Sequence, residues 1–332
     1  MKDNQPKMTI VYVCAIMKNN YEYINEWVNH YISLGVDKII IYDNNDINDK
    51  RKIKVDNIKD TIIINWRGVY SGQLPAYEDC YKKYSNGVDW IGFFDSDEYL
   101  ILNKWKSVQE MLNEFIESDI VAINWLNYDD MNVIKRNEKI PVNEFFTHPA
   151  KKWNEFYHYK QFIKTGLKNI EIHQHNIISL GNEKIIRTNI KHQRIPLKEY
   201  LTYNFHNEAF IKHVLTKTLM EYIKEKAFNG KPTGVNDRTL GESFGYFFDV
   251  NERTKEKEMI IKKFIEDRNK KLKFTFLLNP NLSKIMKYSN GPYDIVITSD
   301  EQYRTYFNRP SRILIMSLKE ASNKFKSLKI LN

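Results

Sequence analysis

The sequence is poor in cysteine: Cys14 and Cys80 are the only two, and they do not form a CxxC pair. At most one disulfide is therefore available, a cysteine zinc site is not indicated, and a reducing, cytoplasmic location is the better fit. Long apolar runs are also missing, because no stretch approaches the roughly 18 consecutive apolar residues that span a bilayer. The run Met8–Met17 is as long as the core of a signal peptide, but Lys18 and two asparagines follow it instead of a small-residue cleavage site. We interpret it as a buried strand.

Internal repeats, low-complexity tracts and a Gly-rich phosphate loop of the GxxxxGK[ST] kind are missing as well. The 332 residues, 42% hydrophobic and 28% charged, suit a folded protein with two domains or one large α/β domain with an appendage. Lys and Arg number 51 against 42 Asp and Glu, and the net charge of +9 favours anionic partners: nucleic acid, anionic lipid or phosphorylated substrates. A basic nucleic-acid-binding protein is one alternative, but no nucleic-acid module is recognisable, so no specific nucleic acid is expected.

Short β-branched runs alternate with amphipathic helical patterns over the first 125 residues, which predicts parallel strands joined by crossover helices. The predicted strands are 8–16, 37–42, 60–66, 89–95 and 119–125. Three helices are predicted between these strands. The first starts at Ile24 and stops near Gly35, the second covers about 74–84, and the third begins at Ser107. In the third helix, the side chains of Ser107 and Glu110 are expected to cap each other's backbone N–H.

The regular pattern fails after Leu126. Residues 127–158 are rich in Asn, Asp, Lys and aromatic residues and predict a long irregular excursion, which is uncommon unless the loop is functional. Further strands are predicted near 160–164, 169–175 and 184–190. From about residue 197 the chain is predicted to be helical, with one buried apolar stripe. The members of that stripe are Ile211, Val214, Leu215, Thr218, Leu219, Tyr222 and Ile223.

Residues 255–287 carry ten Lys and Arg against four Asp and Glu, with apolar residues at roughly helical spacing. This pattern predicts a basic amphipathic helix, which is either a solvated surface helix or one that contacts an anionic membrane surface. Beyond it, the strand-like segments 293–298 and 312–316 and a terminal helix predict a small α/β cap.

The most informative segment is Trp90–Leu100, in which a buried strand delivers Asp95, Asp97 and Glu98 at its C-terminal end. Open α/β sheets bind their ligands at that edge. Neighbouring acids repel each other, and a divalent cation would cancel the repulsion. In an extended chain Asp95 and Asp97 would share one face, whereas a turn at Ser96 would let both reach one point. Hard oxygen donors favour Mg²⁺ or Mn²⁺ with a nucleotide diphosphate, and an acidic capping junction is the alternative.

A second polar cluster, Asp43–Asp46, ends the second predicted strand. Because parallel strands place their C-terminal ends at one edge, Asp43 and Asp95 are expected to face a common crevice. There Asp43 would accept a hydrogen bond from a base or a ribose hydroxyl. Taken alone, an Asn-rich loop of this kind is more often a turn.

Together these residues resemble the opening of GT-A glycosyltransferases, the nucleotide-diphospho-sugar transferases with a Rossmann-like mixed sheet, and most closely their family 2-like and family 92-like groups. The resemblance is carried by Cys14–Asn20, Glu26–Tyr31, Gly35–Asp37, Tyr42–Asn44 and Asp95–Leu100. It covers residues 8–128 well and extends loosely to about 200. Two features depart from the family pattern: Asn20 replaces the usual acid after Lys-Asn, and Asn45-Asp46 with Asp49 stands in place of Ser-x-Asp.

The resemblance implies a metal-dependent transferase whose donor is a nucleotide sugar. It implies that Asp95 and Asp97 hold Mn²⁺ or Mg²⁺ on the diphosphate and that Asp43 contacts the nucleoside. The other donor-site candidates are Lys18, Asn44, Gln73, Tyr77 and Ser96. Gln73 and Tyr77 match a helix that borders the donor site in such enzymes, and plain helix packing is an equal alternative.

Late histidines are candidates for further metal ligands, since GT-A enzymes often use one. Strand alternation places His173 and His175 on one face, so both imidazoles are expected at the same edge, with His173 the first choice. Two exposed strand histidines are the alternative. The segment Asn189–Tyr200 loosely resembles the family pattern NHY..KS.EE, and this resemblance makes His192 a metal or phosphate contact and Arg194 a diphosphate clamp.

Inverting sugar transfer needs a general base on the acceptor side. Asp129 and Asp130, which follow the fifth predicted strand, are the candidates, with Asp130 slightly preferred. The leading hypothesis is transfer of a hexose from a UDP-sugar to a glycan or lipid-linked glycan, at the cytoplasmic membrane face where the basic helix would bind lipid. A Mg²⁺-dependent nucleotidyltransferase or phosphotransferase is the alternative enzyme class.

This hypothesis also predicts a domain organisation. The GT-A catalytic domain covers 1–200, with a donor half at about 8–128 and an acceptor half at about 129–200. A mainly helical C-terminal region, 201–332, contains the small α/β cap.

Overall fold

A mixed α/β architecture is formed by the residues that the computed structural model describes, which are 9–69, 72–151, 158–175, 177–181, 184–196, 206–226, 240–271, 273–276, 294–298 and 313–317. The helices and strands are, in chain order, β1 (Val11–Met17), α1 (Ile24–Ser33), β2 (Lys38–Asp43), β3 (Thr61–Asn65), α2 (Gln73–Tyr84), β4 (Trp90–Phe93), β5 (Glu98–Leu102), α3 (Val108–Asn113), β6 (Ile120–Asn127), α4 (Val142–Phe145), β7 (Tyr159–Lys164), β8 (Ile170–Ile172), β9 (Ile177–Ser179), β10 (Arg187–Asn189), β11 (Ala209–His213), α5 (Leu219–Glu225), α6 (Leu240–Val250), α7 (Lys255–Lys271), β12 (Lys273–Phe276), β13 (Asp294–Thr298) and β14 (Ile313–Ser317).

Nine of these strands form one mixed sheet in the order β3-β2-β1-β4-β7-β6-β11-β5, and β10 pairs with the start of β6. β3, β2, β1 and β4 are parallel, whereas β7 is antiparallel to both β4 and β6. β11 is parallel to β6 and antiparallel to β5. Because β1, β2, β4, β6 and β11 point the same way, their C-terminal ends meet at one side of the sheet, which we call the carboxyl edge.

Helices cover both faces of this sheet. Alternate residues of β1 belong to two separate core clusters, one that contains Trp27 of α1 and one that contains Tyr77 of α2. Burial on both faces explains why the parallel strands are continuous apolar runs. The α/β fold class with a mixed sheet, predicted from the sequence, is confirmed.

The first half of the chain follows the sequence pattern. Each of the five strands predicted up to residue 125 is present, with α1, α2 and α3 between them. Ser107 caps α3, since its Oγ accepts from the Glu110 N–H at 3.1 Å, but the Glu110 carboxylate accepts from the Lys106 N–H instead of that of Ser107. Half of the expected reciprocal cap is therefore found. β5, which follows β4 after a short turn, is an addition that the sequence pattern does not predict.

Two predictions for the later half are wrong. The strand expected over 169–175 ends at Ile172, because the chain turns back into β9 and forms a two-stranded hairpin. The helix expected from 197 begins only at Leu219: Ile211 pairs with Trp125 and Leu100 inside the main sheet, and residues 197–205 lie outside the described residues. Every residue of the predicted stripe is nevertheless buried. Its assignment to the core is confirmed, whereas the helix predicted for its first residue is wrong.

The C-terminal residues combine two helices with a small sheet. α7 ends at Lys271, so the basic helix predicted over 255–287 is shorter than expected and gives way to β12. β12, β13 and β14 form a parallel sheet, in agreement with the strands predicted near 293–298 and 312–316, while the predicted terminal helix lies outside the described residues. The division of the chain at residue 200 stays a prediction. Across the described part of the chain, none of the helices has the length and apolar character required for crossing a membrane.

Candidate active site

The carboxyl edge gathers polar side chains from several strands. β2 ends at Asp43, β4 is followed by Asp95, and β11 ends at His213. β7 runs the other way, so its first residues lie at the same edge, and the register that pairs Gln161 with the last residue of β4 brings Lys160 beside that strand end. The topology of the sheet therefore collects both acidic and basic groups in one place.

A tight turn after β4 carries the three carboxylates, and we call Asp95–Glu98 the acidic turn. The Glu98 N–H donates to the Asp95 carbonyl at 3.1 Å, and the Asp95 N–H donates back to Glu98 Oε2 at 2.8 Å. The Asn20 side-chain amide donates to Ser96 Oγ, which ties the turn to the loop after β1. Of the two backbone arrangements considered from the sequence, the turn is the one present. Ser96 has no contact here that tests its predicted role toward a donor.

Asp95 is held by two neutral donors and one cation. Its Oδ1 accepts from Gln73 Nε2 at 3.0 Å and from the Tyr77 hydroxyl at 3.3 Å, and its Oδ2 accepts from Lys160 Nζ at 2.9 Å. Burial raises the pKa of Asp95, but Lys160 outweighs this effect and the pKa lies below its usual range. The structure thus places Gln73 and Tyr77 at the acidic turn, and their role toward a donor stays a prediction.

Asp97 faces two different basic groups. His213 Nε2 lies 3.7 Å from Asp97 Oδ1, and the Lys226 ammonium contacts Oδ2. Burial would raise the pKa of Asp97, but Lys226 and His213 outweigh it and hold the pKa well below its usual range. The His213 ring packs on Trp125, with 4.1 Å between the ring centroids. Asp97 is therefore an ionised carboxylate at the end of β11.

Lys160 also reaches the third carboxylate. Its Nζ lies 3.5 Å from Glu98 Oε2, and both side chains are fully buried. Burial raises the pKa of Glu98 well above its usual range, and Lys160 opposes this only in part. Glu98 Oε1 has no hydrogen-bond partner among the described residues. Burial therefore favours the neutral form of Glu98, whereas Lys160 favours the ionised form of Asp95.

Lys160, His213 and Lys226 are absent from the residues predicted from the sequence. Lys160 lies in an ordinary strand pattern that gives no signal. A partial signal for His213 exists, because the NHY..KS.EE pattern sought in Asn189–Tyr200 fits residues 212–221 at more positions, although Lys212, Val214 and Met220 depart from it and Thr replaces Ser. The matching positions are His213, Lys217, Thr218 and Glu221. The structure brings this later segment to the acidic turn.

His173 and His175 lie in the turn between β8 and β9, and only His175 approaches the acidic turn. His175 Nδ1 is 3.2 Å from the Tyr159 carbonyl, and since a carbonyl only accepts, Nδ1 carries the proton and Nε2 the lone pair. Burial, together with the charge of Lys160, lowers the pKa of His175 to about 3. His173 instead contacts Glu171 at 3.3 Å. His175, and not the preferred His173, is thus the one brought toward the acidic turn, and a role as metal ligand stays a prediction for either.

Asp43 is engaged by protein groups on both oxygens. Arg67 forks onto Oδ2 through Nε at 2.9 Å and Nη2 at 2.8 Å, and the Asn45 side-chain amide donates to Oδ1. Arg67 is a further residue that the sequence does not single out. Contact between Asp43 and a nucleoside stays a prediction, and it would require one of these partners to share the carboxylate.

Asn44 and Lys18 flank Asp43 and have structural contacts of their own. Asn44 Nδ2 donates to the carbonyls of Trp66 and Val69, each at 2.9 Å, and so ties β2 to the loop after β3. Lys18 Nζ lies 3.7 Å from Asp46 Oδ1 on the surface. Both residues lie at the carboxyl edge, as expected, and their predicted contacts with a donor are not tested by this arrangement.

His192 and Arg194 lie beside another part of the molecule. The His192 ring stacks on Phe115 with 4.1 Å between centroids, and its Nε2 is 3.6 Å from Glu114. Arg194 is exposed and forms a β-bridge with Thr188. These contacts attach the segment to the end of α3 and to β10. The described contacts do not bring His192 or Arg194 to the acidic turn.

The two candidate bases, Asp129 and Asp130, differ in their surroundings. Asp130 is almost completely buried, and its carboxylate lies 2.7 Å from Lys257 Nζ of α7. Its N–H donates to Asn251 Oδ1 at 2.7 Å. Asp129 is half-buried and accepts from the Met131 N–H at 2.9 Å. Asp130 therefore anchors α7, which speaks against the preference for it, and the choice of Asp129 or Asp130 as the base stays a prediction.

This placement yields a stability prediction. Asp130→Asn is expected to lower the free energy of unfolding by about 3 kcal/mol, because the buried Lys257 ammonium loses its carboxylate and keeps only the neutral oxygens of Asn132 and Glu252. Urea denaturation followed by circular dichroism measures the change, with Asp129→Asn as the control that removes a less buried charge. If Asp130→Asn kept wild-type stability but lost sugar transfer, Asp130 would return as the base.

The chemistry at the acidic turn fits a divalent cation. Asp97 Oδ1 and His213 Nε2 lie 3.7 Å apart and are a hard oxygen and an imidazole nitrogen, both of which bind divalent cations. The Lys226 ammonium already contacts Asp97, which shows that a positive charge is favoured at this carboxylate. Within the described ranges, no three His, Cys, Asp or Glu side chains form a ready-made metal cage. This is usual for ions whose shell is completed by water and substrate phosphates. Binding of Mn²⁺ or Mg²⁺ at this turn stays a prediction, with Asp97, His213 and the neighbouring Asp95 as the side chains that could hold it.

The fold and the site define an α/β protein with an acidic candidate ligand site at the carboxyl edge of a mixed sheet. Residues 10–275 match the sequence model of glycosyltransferase family 92. Since this match covers most of the chain, the protein belongs to glycosyltransferase family 92.

Individual relatives agree with this assignment. The chain is 28% identical over 120 residues to a glycosyltransferase family 92 protein of Ricinus communis, covering 35% of this chain and 20% of the relative. It is 26% identical over 205 residues to a galactan β-1,4-galactosyltransferase of Arabidopsis thaliana, covering 53% of this chain and 40% of the relative. The chain thus matches less than half the length of these relatives. Among solved structures, the apo form of glycosyltransferase GlyE of Streptococcus pneumoniae TIGR4 is similar at 11% identity and a TM-score of 0.23, covering 92% of this chain and 80% of that one.

Proposed function

We propose that this protein moves a hexose from a nucleotide sugar, with UDP as the nucleotide, to a glycan or lipid-linked glycan acceptor. The observation that carries the proposal is the acidic turn at the carboxyl edge of the sheet in a chain of family 92. That edge is where α/β sheets bind nucleotides. The similarity to a galactan galactosyltransferase supports a sugar as the transferred group.

The chain's own residues would prepare the site for a nucleoside diphosphate as leaving group. Gln73 and Tyr77 fix Asp95 through Oδ1, and Lys160 keeps it ionised. A cation held by Asp97 and His213 would neutralise the charge that develops on the diphosphate. Groups that are already ionised and held in place need no rearrangement when that charge develops.

The acceptor side needs a base for an inverting transfer. Asp129 is the candidate, since the buried ion pair with Lys257 engages Asp130 instead. We place the acceptor at the loop after β6, which carries Asp129 and is continuous with the carboxyl edge. The proton of the acceptor hydroxyl would pass to this carboxylate as the bond to the sugar forms.

We also propose a cytoplasmic protein that rests on the inner membrane surface through α7. The charged face of this helix includes Lys262 and Lys263, which are exposed. The apolar side of α7 packs in the protein at Ile261, so this contact with anionic headgroups would be electrostatic. A lipid-linked glycan would reach the site in this setting.

A thermal-shift experiment tests the donor class. UDP with Mn²⁺ is expected to raise the Tm of the wild-type protein, because a ligand at 100 times its Kd stabilises the folded state by about 2.7 kcal/mol. UDP with EDTA, and GDP or CMP with Mn²⁺, serve as controls and are expected to give smaller shifts. If no nucleotide raised the Tm, the donor proposal would be wrong. A larger shift with ATP and Mg²⁺ would favour a nucleotidyltransferase or phosphotransferase.

A further inference from the structure

Lys226 differs from the other cation at the acidic turn. Its ammonium contacts Asp97 Oδ2 and the Leu215 carbonyl, and about a third of its side chain is exposed (34%). Lys160 is fully buried between Asp95 and Glu98 and has no open side. Of these two lysines, Lys226 is therefore the one with an exposed part, and since Asp97 is buried, another cation would have to replace the ammonium when it leaves.

The helix that ends just before Lys226 is firmly attached. Thr218 and Glu221 form a reciprocal capping box at the start of α5, and Glu221 Oε1 also accepts from the Tyr23 hydroxyl at 2.9 Å and from Arg136 Nε at 3.0 Å. With the backbone of α5 fixed by these bonds, the long stem of Lys226 is the part that is able to move. Its ammonium can reach neighbouring acceptors while its Cα stays in place.

A metal ion on Asp97 Oδ1, beside His213, would compete with the Lys226 ammonium on Oδ2. Two cations on one carboxylate repel each other strongly in a partly buried site. The diphosphate of a donor, which completes the shell of the metal, would be the nearest new group of anionic oxygens. An ammonium is a strong hydrogen-bond donor to phosphate.

We propose that Lys226 is a donor-binding residue that neutralises Asp97 in the free protein and moves to the donor's diphosphate when a metal occupies Asp97. This inference rests on the proposed function, because it takes a nucleoside diphosphate as the leaving group. Lys226 would thus have two anionic partners in succession, first Asp97 and then the diphosphate of the donor. The free site is thereby kept neutral without a metal.

Isothermal titration of Lys226→Met tests the exchange. Without nucleotide, Mn²⁺ is expected to bind this variant at least about fivefold more tightly than wild type, because the competing ammonium is gone. At saturating Mn²⁺, UDP is expected to bind about tenfold more weakly, because one charge-assisted hydrogen bond is lost. The affinity of the variant for UMP is expected to change by less than about threefold, because UMP lacks the second phosphate.

Lys224→Met is the matched control, since Lys224 lies on the same helix and pairs with Glu22 on the surface. If Lys226→Met bound Mn²⁺ and UDP like Lys224→Met, or lost affinity for both Mn²⁺ and UDP, the exchange would be refuted and Lys226 would be structural. Lys226→Arg provides the second test where Met unfolds the protein: it keeps the charge, so Mn²⁺ affinity is expected to stay at the wild-type level while UDP affinity changes. Failure of wild type to bind UDP at all would instead overturn the proposed function, and this inference with it.

Discussion

Asp97→Asn is expected to lower Mn²⁺-dependent sugar transfer by more than about 100-fold, since it removes a charged ligand from the proposed metal site and keeps the shape of the side chain. Asp97 is the residue to change first because two basic groups from distant parts of the chain, His213 and Lys226, converge on it. Transfer from a UDP-hexose to glycan acceptors, measured over a range of Mn²⁺ concentrations, gives the result. The loss is expected to be only partly recovered at high Mn²⁺.

The matched control is Asp249→Asn, which removes one negative charge from an exposed position of α6. It is expected to keep transfer and stability within experimental error. Circular dichroism must show that Asp97→Asn is folded before its activity is interpreted. Full activity in a folded Asp97→Asn protein would rule out the metal assignment.

Lys160→Met is expected to produce the largest loss of stability in the sheet, about 3 to 5 kcal/mol in the free energy of unfolding. Lys160 is fully buried and contacts Asp95 at 2.9 Å and Glu98 at 3.5 Å, so its removal leaves the part-exposed Asp95 and the buried Glu98 without their cation. Urea denaturation at neutral pH measures the change. A methionine keeps the length of the stem, so the loss reports the charge and not the packing.

A second variant identifies which acid is responsible. Since burial favours the neutral form of Glu98 and Asp95 is the acid whose pKa is lowered, adding Glu98→Gln to Lys160→Met should recover little stability, whereas adding Asp95→Asn should recover much of it. The reverse order of recovery would show that Glu98 is the ionised partner of Lys160.

The elements of the first half were predictable because their signal is local. The apolar run of β1 and the one-sided pattern of α1 are visible within a few residues of sequence, whatever they pack against. β11 was not predictable from the sequence, since Ile211 and the residues after it fit the period of a helix as well as that of a strand. Its strand neighbours, β5 and β6, come much earlier in the chain, and no short window contains such a pairing.

The same distinction applies to the site. Asp95 and Asp97 stand two residues apart at the end of one strand, so their clustering is visible in the sequence. Their basic partners are single residues on β7, β11 and the end of α5, and the sequence does not show that the fold brings them together. The preference for Asp130 as the base has the same cause. Its local sequence does not show that Lys257 of α7, far along the chain, buries it.

The late position of β11 in the chain has a consequence for how the protein is made. During synthesis, β5 and the second half of β6 emerge long before Ala209–His213, the strand that pairs with both of them. Until then two strand edges are open to pairing with other chains, and Asp97 has neither His213 nor Lys226 beside it. A chain truncated at residue 200 would keep those edges open and is expected to associate with its own copies. The strand that completes the charged site is thus also the one expected to limit aggregation of the nascent protein.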